Sequence, residues 1–458
     1  MRGWLGRTLP AAAVVGLCWG GAIWYWRATN RAPSTSDLVS FLLVLPPLVL
    51  LALWLGRKLI SLQAAPAMAV PAAQPAPPPA RPVPLTVVAT ALRTPHGSAV
   101  EELAKALAAN GAGPDLDPDL TDDNGFPVIT ARSDDAADPA MQEAIAAWLE
   151  LKAVPDPDFS DEQLRALVLG GAVVAELSAR AAGHTAIGEP SAQPPMLQIV
   201  PLWQGGWRLE QRLAAGMWFG QVVGMNGWPP ARIVLGAEQA AETAGAPSAA
   251  LARLVRQHAL DNSPLLALVL ACGSHIGEGS VRAWSDSAAL FCASRPQGLV
   301  PGEGAAGLLL ADAGQARLIT DEPLLLLHSA DGRRDDSADG ARRVDAKLLR
   351  ALAGKVMADA GAEFSTVAMV VADTGHRNSR VTELMDTARH ALPQLDQSED
   401  VIRVAAGCGS CGAVPFMSAL VLAHHHAGAL AAPVLCFSNE DPHHRSAALI
   451  GPAAPALS

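Results

Sequence analysis

Apolar residues fall into two kinds of run along this chain. Near the start, Thr8 to Trp26 and Leu38 to Gly56 are uncharged and each long enough to cross a bilayer as a helix. Beyond Leu85 the runs shorten and alternate with amphipathic stretches. Leu85–Leu92, Ala231–Leu235, Pro264–Cys272, Glu303–Ala311, Thr366–Ala372 and Pro433–Phe437 predict strands. Apolar positions at helical spacing predict helices over 98–109, 139–152, 161–182, 248–258, 344–360 and 381–392. Ser98 is the expected cap of the first of these, with Glu101 at its third position. Short strands alternating with helices imply an α/β layered fold.

Trp4, Trp24, Tyr25, Trp26 and Trp54 sit at the ends of the two long runs, as aromatics do at a membrane interface. Arg2 and Arg7 precede the first run, as in a signal peptide, but Trp24-Tyr25-Trp26-Arg27 is too bulky for a cleavage site and a second span follows at once. A retained transmembrane hairpin over 1–63 is the expectation. Arg2, Arg7, Arg57 and Lys58 outside the runs outweigh Arg27 and Arg31 between them, which puts both termini on the cytoplasmic side. Residues 64–84 are nearly all Ala and Pro, an extended tether. The body then divides at the polar, charge-dense stretch Asp331–Arg343 into 85–330 and 331–458.

The formal charge is −11 overall and +5 up to Gln63, which leaves −16 on the rest. So acidic a body excludes nucleic acid as a partner class. Six cysteines, at 18, 272, 292, 408, 411 and 436, are too few and scattered for a disulfide-stapled secreted domain. The carboxylates of Asp115–Asn124 lack the spacing of a calcium-binding loop and read as a solvated loop. The tryptophans between Leu202 and Trp228 read as buried aromatics or, alternatively, as a partner-facing patch.

Candidate chemistry concentrates in Arg403-Val-Ala-Ala-Gly-Cys-Gly-Ser-Cys-Gly-Ala-Val-Pro-Phe416, where small residues turn the chain just before a helix. Cys408 and Cys411 have the spacing of a redox pair or half a zinc site. Ser410 between glycines has something of a nucleophile elbow, although Cys408 stands where that motif wants Gly, and His376 or His424 would be its base. The neighbouring histidines of 424–426 project in different directions from a helix, so they make no ligand set. His96 and His275 are read as turn residues. No cofactor and no resident metal is expected.

Several stretches resemble the β-ketoacyl synthases, which have the thiolase fold. Val87 to Leu103 looks like their opening strand, turn and helix, and Leu265 to Gly273 like their central strand. Phe291-Cys-Ala-Ser-Arg295 followed by Pro301-Gly-Glu-Gly-Ala-Ala-Gly307 is similar to their "GEGA" turn. Val370-Val-Ala-Asp-Thr-Gly375, with Glu383, resembles the stretch of their first catalytic histidine, and Gly409-Ser-Cys-Gly-Ala413 that of the second. The matches run in order from about Leu85 to Ile450. They imply a thiolase-like fold of two similar halves, mixed sheets covered by helices, and a homodimer.

The family's reaction needs a cysteine thiolate at a helix N-terminus and two histidines. The corresponding places here hold Gly245, Asp373 and Ser410. The resemblance therefore implies a condensing-enzyme fold without condensing activity.

"ALRTPHG" (91–97), Leu116-Asp-Pro-Asp-Leu120 and "GFPV" (125–128), together with the hairpin and tether, resemble a bacterial family of type VI secretion lipase adaptors. That resemblance implies a membrane-anchored adaptor that binds a protein effector, a phospholipase, or a component of the secretion apparatus. The competing expectation is a membrane-bound acyl-transfer or hydrolytic enzyme working through Ser410, Cys408 or Cys411.

Overall fold

The computed structural model describes residues 84–453, apart from 110, 153, 155–156, 190, 237–246, 262 and 340–343; of the first 83 it describes 19–21, 24–25, 27–28, 45 and 47. The two long apolar runs thus lie almost wholly outside the described residues. Among the described residues no helix is long and apolar enough to cross a membrane. Met1–Ala80 and Arg81–Ser458 form separate units.

The second unit begins with β1 (Leu85–Arg93), α1 (Val100–Ala108) and a small hairpin of β2 (Asp115–Thr121) and β3 (Pro127–Thr130). Helices α2 (Pro139–Leu151) and α3 (Asp161–Ala181) lead to β4 (Leu197–Trp203), α4 (Leu209–Met225) and β5 (Ile233–Leu235). Next come α5 (Pro247–Asp261), β6 (Leu266–Ser274), α6 (Glu278–Asp286), β7 (Glu303–Ala311) and the short α7 (Ala313–Arg317). The chain continues with β8 (Leu325–Arg333), α8 (Lys347–Ala360), β9 (Met369–Ala372), α9 (Asn378–Ala391) and β10 (Val401–Arg403). It closes with the one-turn α10 (Val404–Cys408), α11 (Val414–Leu430), β11 (Val434–Ser438) and β12 (His444–Pro452).

The strands of the main sheet stand in the order β10-β9-β11-β12-β8-β1-β7-β6-β4-β5. This is one pattern used twice. In β5-β4-β6-β7-β1 the third, second, fourth, fifth and first strands follow each other, and β10-β9-β11-β12-β8 repeats that order. Within each set the second strand is parallel to the third and fourth, while the fifth is antiparallel to its neighbours. The sets meet where β1 and β8 pair antiparallel over Leu85–Val87 and Leu325–Leu327.

Side-chain alternation builds the layers. On β6, Ala267, Val269 and Ala271 face one core, while Leu266, Leu268, Leu270 and Cys272 face another, which α3 and α4 cover. Leu435 and Phe437 of β11 likewise face a core under α8 and α9, and Val434 and Cys436 turn to the first core. That shared core holds α5 and α11. Val414 to Ala423 is apolar except for Ser418 and entirely buried, as expected of a helix without a polar face. Ser248 of α5 and Ser446 of β12, hydroxyls 2.6 Å apart, tie the two sets further.

Two expectations need correction, and one alternative is resolved. The cap of α1 is Glu102, whose carboxylate accepts from the backbone of Ser98 (2.9 Å) and Ala99 (3.1 Å), because the helix begins at Val100 rather than after Ser98. The acidic stretch at 115–124 is mostly strand β2, not a loop: Asp117 points inward and accepts both a bidentate Arg132 (2.7 and 2.9 Å) and Thr130 (2.7 Å). Burial works against its charge, but these donors and the backbone of Asp119 and Leu120 win and hold its pKa down to about 2. Of the two readings of the Trp-rich segment, packing holds. Trp203, Trp207, Trp218 and Trp228 are buried, and Trp203 stacks on Phe219 with centroids 5.9 Å apart.

One buried ion pair fastens α3 to the start of β7. The Glu303 carboxylate accepts from Arg165 (2.5 and 2.8 Å), from Ser133 N (2.7 Å) and from Ser274 Oγ (2.9 Å). Glu303→Ala strands all three donors, one of them a buried cation. It is expected to lower unfolding stability by about 3–5 kcal/mol, read as a shifted urea midpoint.

Candidate functional site

The stretch 407–412 is docked against the turn at 300–304 from the other strand set. Ser410 N donates to Val300 O at 2.7 Å, and Gly302 N donates to Ser410 O at 3.2 Å. The backbones are so close that a Cβ on Gly302 would lie 2.3 Å from Cys408 O, and one on Gly304 would lie 2.8 Å from Arg93 O. Gly409 adds a positive φ of 67°. His96, on the turn after β1, reaches the same stretch with Nε2 2.9 Å from Gly407 O, so the histidine does serve a turn, by linking it to this loop.

The two thiols here are poorly placed to react. Cys408 and Cys411 are buried and unpaired, and neither belongs to a group of three or more potential metal ligands among the described residues. Burial pushes the Cys408 thiol up to about 12. Burial, then the neighbouring Glu303 and Cys272, push Cys411 well above its ordinary value. Both are therefore thiols, not thiolates, at neutral pH. Ser410 is half-buried with its backbone committed to the docking bridge. His376 packs edge-on against Phe291, centroids 5.0 Å apart, and its buried Nε2 has no hydrogen-bond partner. His424 is buried on α11, which lowers its pKa to about 4. Gly245 lies outside the described residues.

Asp373 follows β9 directly and is buried. Its carboxylate accepts from the Ser438 hydroxyl, from Asn439 N (2.8 Å) and from Glu440 N (3.4 Å), all at the end of β11. Burial, and then the nearby Glu440 carboxylate, raise its pKa to about 7 against these donors. Glu440 in turn accepts from Gly375 N (2.5 Å) and from Arg377 (2.7 and 3.0 Å). Arg380, fully buried, ion-pairs with Asp339, and Arg445 with Glu383 at 2.8 Å. The carboxylate thus latches the end of the second strand to the end of the fourth.

The other strand set carries the corresponding latch at Gln204, the residue after β4. Its Oε1 accepts from Ser274 N (3.1 Å) and its Nε2 donates to Ser274 O (3.2 Å). Here a cleft of about 370 Å³ opens, lined by Gln204, Ser274, His275, Ser280, Glu162 and Arg208 among others. Gln204 also stands beside Gly412, so the cleft adjoins the glycine stretch.

Gln204 Nε2 lies 2.8 Å from His275 Nε2 and 3.0 Å from its Nδ1, and Nδ1 is 3.0 Å from Ser280 Oγ. Burial lowers His275 to about 4, so the ring is neutral. None of these cleft residues except His275 stands out in the sequence, because single polar residues after strands carry no spacing signal.

In fold, with its repeated strand order and the shared core holding α5 and α11, the chain is similar to solved ketosynthases, which are thiolase-like. The ketosynthase from module 6 of the bacillaene synthase of Bacillus subtilis 168 superposes on 81% of this chain and 72% of its own, with 13% identity and a TM-score of 0.56. The oxazolomycin ketosynthase domain of Streptomyces albus JA3453 covers 82% and 76%, at 13% and 0.56. The ketosynthase from module 1 of the bacillaene synthase of Bacillus amyloliquefaciens FZB42 covers 82% and 73%, at 12% and 0.52. At such identities the likeness establishes the fold. No protein-family model and no curated protein matches the chain.

Two measurements check the site. Because the folded-state pKa of Asp373 is raised above its unfolded value, its contribution is fully present below about pH 4 and is lost as pH rises through about 7. Asp373→Asn keeps the shape and the acceptor oxygen; its Tm relative to the wild type is expected to climb between pH 5 and pH 8, and a flat difference would refute the assignment. In maleimide labelling of the native protein, Cys292, half-exposed, is expected to react at least about tenfold faster than Cys408 and Cys411, with the contrast abolished in urea.

Proposed function

We propose that this chain is a ketosynthase-fold protein that has given up condensing chemistry and works as an adaptor. The single observation behind this reading is the state of the glycine stretch: Ser410 gives its backbone to the bridge with Val300 and Gly302, and the flanking thiols are buried with raised pKa values. Asp373, in the place of the family's first histidine, supports it, since its carboxylate is engaged by the end of β11. A fold that keeps its layers while its reactive groups become struts is suited to presenting a surface.

In this reading the N-terminal apolar runs anchor the chain in the bacterial inner membrane, and the Ala/Pro tether holds the acidic body on the cytoplasmic side. The body binds a protein effector, a phospholipase, for delivery to a type VI secretion apparatus. The effector and apparatus rest on the resemblance of "ALRTPHG", 116–120 and "GFPV".

A serine- and thiol-directed acyl probe tests the absence of chemistry. No stoichiometric label is expected within 408–411; a label lost in Ser410→Ala or Cys411→Ala would establish the acyl-transfer or hydrolytic alternative instead. A pull-down with the full chain from its native host is expected to recover a secreted effector or a secretion component, and recovery of neither would count against the adaptor.

A further inference from the structure

The hairpin of β2 and β3 has two unlike faces. Inward, Asp117 is locked by Arg132 and Thr130, and Leu120 and Val128 pack with Ile276, Val281 and Leu290. The hairpin is also fastened to the 300–304 turn, through Ala131 N to Pro301 O at 2.8 Å and Glu303 N to Ala131 O at 3.3 Å. The tip is shaped by Asp122, whose carboxylate accepts from Asn124 N and Phe126 N, both at 2.9 Å. Outward, the hairpin exposes two large apolar side chains among polar ones. Leu116 is 61% exposed, opposite Ile129 in the register, and Phe126 at the tip is 68% exposed. The exposed carboxylates of Asp115, Asp119 and Asp123 lie on the same hairpin, Asp119 3.5 Å from Arg132 and Asp123 accepting from the Ser285 hydroxyl.

A protein surface that exposes large apolar side chains on a rigid, hydrogen-bonded support has the make-up of a preorganised binding hot spot. The charges narrow the occupant. An anionic membrane would meet the carboxylates as repulsion, and so would the same face of a second copy. We propose that the outer face of the β2–β3 hairpin is the docking surface for a different protein, one that offers an apolar pocket for Leu116 and Phe126 rimmed by Lys or Arg. This rests on the adaptor reading and places its partner contact.

The test puts the photo-cross-linker p-benzoylphenylalanine at position 126 of the full chain in its native host, with a control at Leu260, which is 84% exposed on α5. The expected product is one protein, cross-linked from 126 and not from 260, through a peptide that carries Lys or Arg beside apolar residues. With that protein purified, Leu116→Ser/Phe126→Ser is expected to weaken binding at least about tenfold while leaving thermal unfolding unchanged, since both side chains face solvent. Asp119→Asn/Asp123→Asn is expected to slow association and flatten its salt dependence. Cross-links to lipid or to a second copy, equal cross-linking from 260, none at all, or unchanged affinity of the double serine variant would overturn the proposal. If the wild-type chain and the double serine variant recover the same effector equally, this surface falls and the adaptor stands; if neither recovers any protein, both fall.

Discussion

The Glu303 carboxylate is a buried charge on which a helix, a loop and two strands converge. It sits at the start of β7, almost free of solvent, and gathers Arg165 from α3, the Ser133 backbone after the hairpin and the Ser274 hydroxyl at the end of β6. The turn that delivers it, 300–304, is also where the glycine stretch docks through Ser410 and where Ala131 fastens the hairpin. A buried charge of this kind is tolerated only while every partner stays in place. Position 303 therefore couples the outer helix layer, the hairpin and the contact between the two strand sets.

The internal repeat explains where polar chemistry survives in so apolar a body. In each set the residue after the second strand bonds the end of the fourth: Gln204 to Ser274 in one, Asp373 to Ser438 and Asn439 in the other. The neutral amide closes its latch without a charge to desolvate, and a polar cleft opens beside it. The carboxylate closes the other within a network of Glu440, Arg377, Arg380 and Asp339, where burial and a like charge hold it near half-protonation at neutral pH.

Much of the fold was legible because burial writes itself into periodicity. The run Pro264–Cys272 became β6, shifted by two residues at each end, and Glu303–Ala311 became β7 with no shift. The strand β4 runs into the start of a Trp-rich segment, and β12, His444–Pro452, begins beside Arg445, which pairs with the buried Glu383. The strand β8 runs to Arg333 and so overlaps the polar stretch read as a break, because pairing with β12 extends it beyond its apolar part. At 115–121 the acidic composition outweighed the alternation, and only the fold reveals that Asp117 has an inward-facing arginine. In the candidate site, the glycines and cysteines of 407–412 are conspicuous in the sequence, but Gln204, Ser280 and Glu162 left no trace in it.

The amino-acid sequence by itself determined the alternation of strands and helices and the glycines that permit close backbone contact at 302, 304 and 409. Those follow from local chemistry, in which side-chain size, polarity and spacing are readable one residue at a time. Only the tertiary structure decided what those residues touch: that Asp373 is engaged by the end of β11, that Ser410 bridges to Val300 and Gly302, and that Leu116 and Phe126 face outward. Pairing across tens to hundreds of residues depends on which strands become neighbours, and burial then sets the charge state and reactivity of whatever is enclosed.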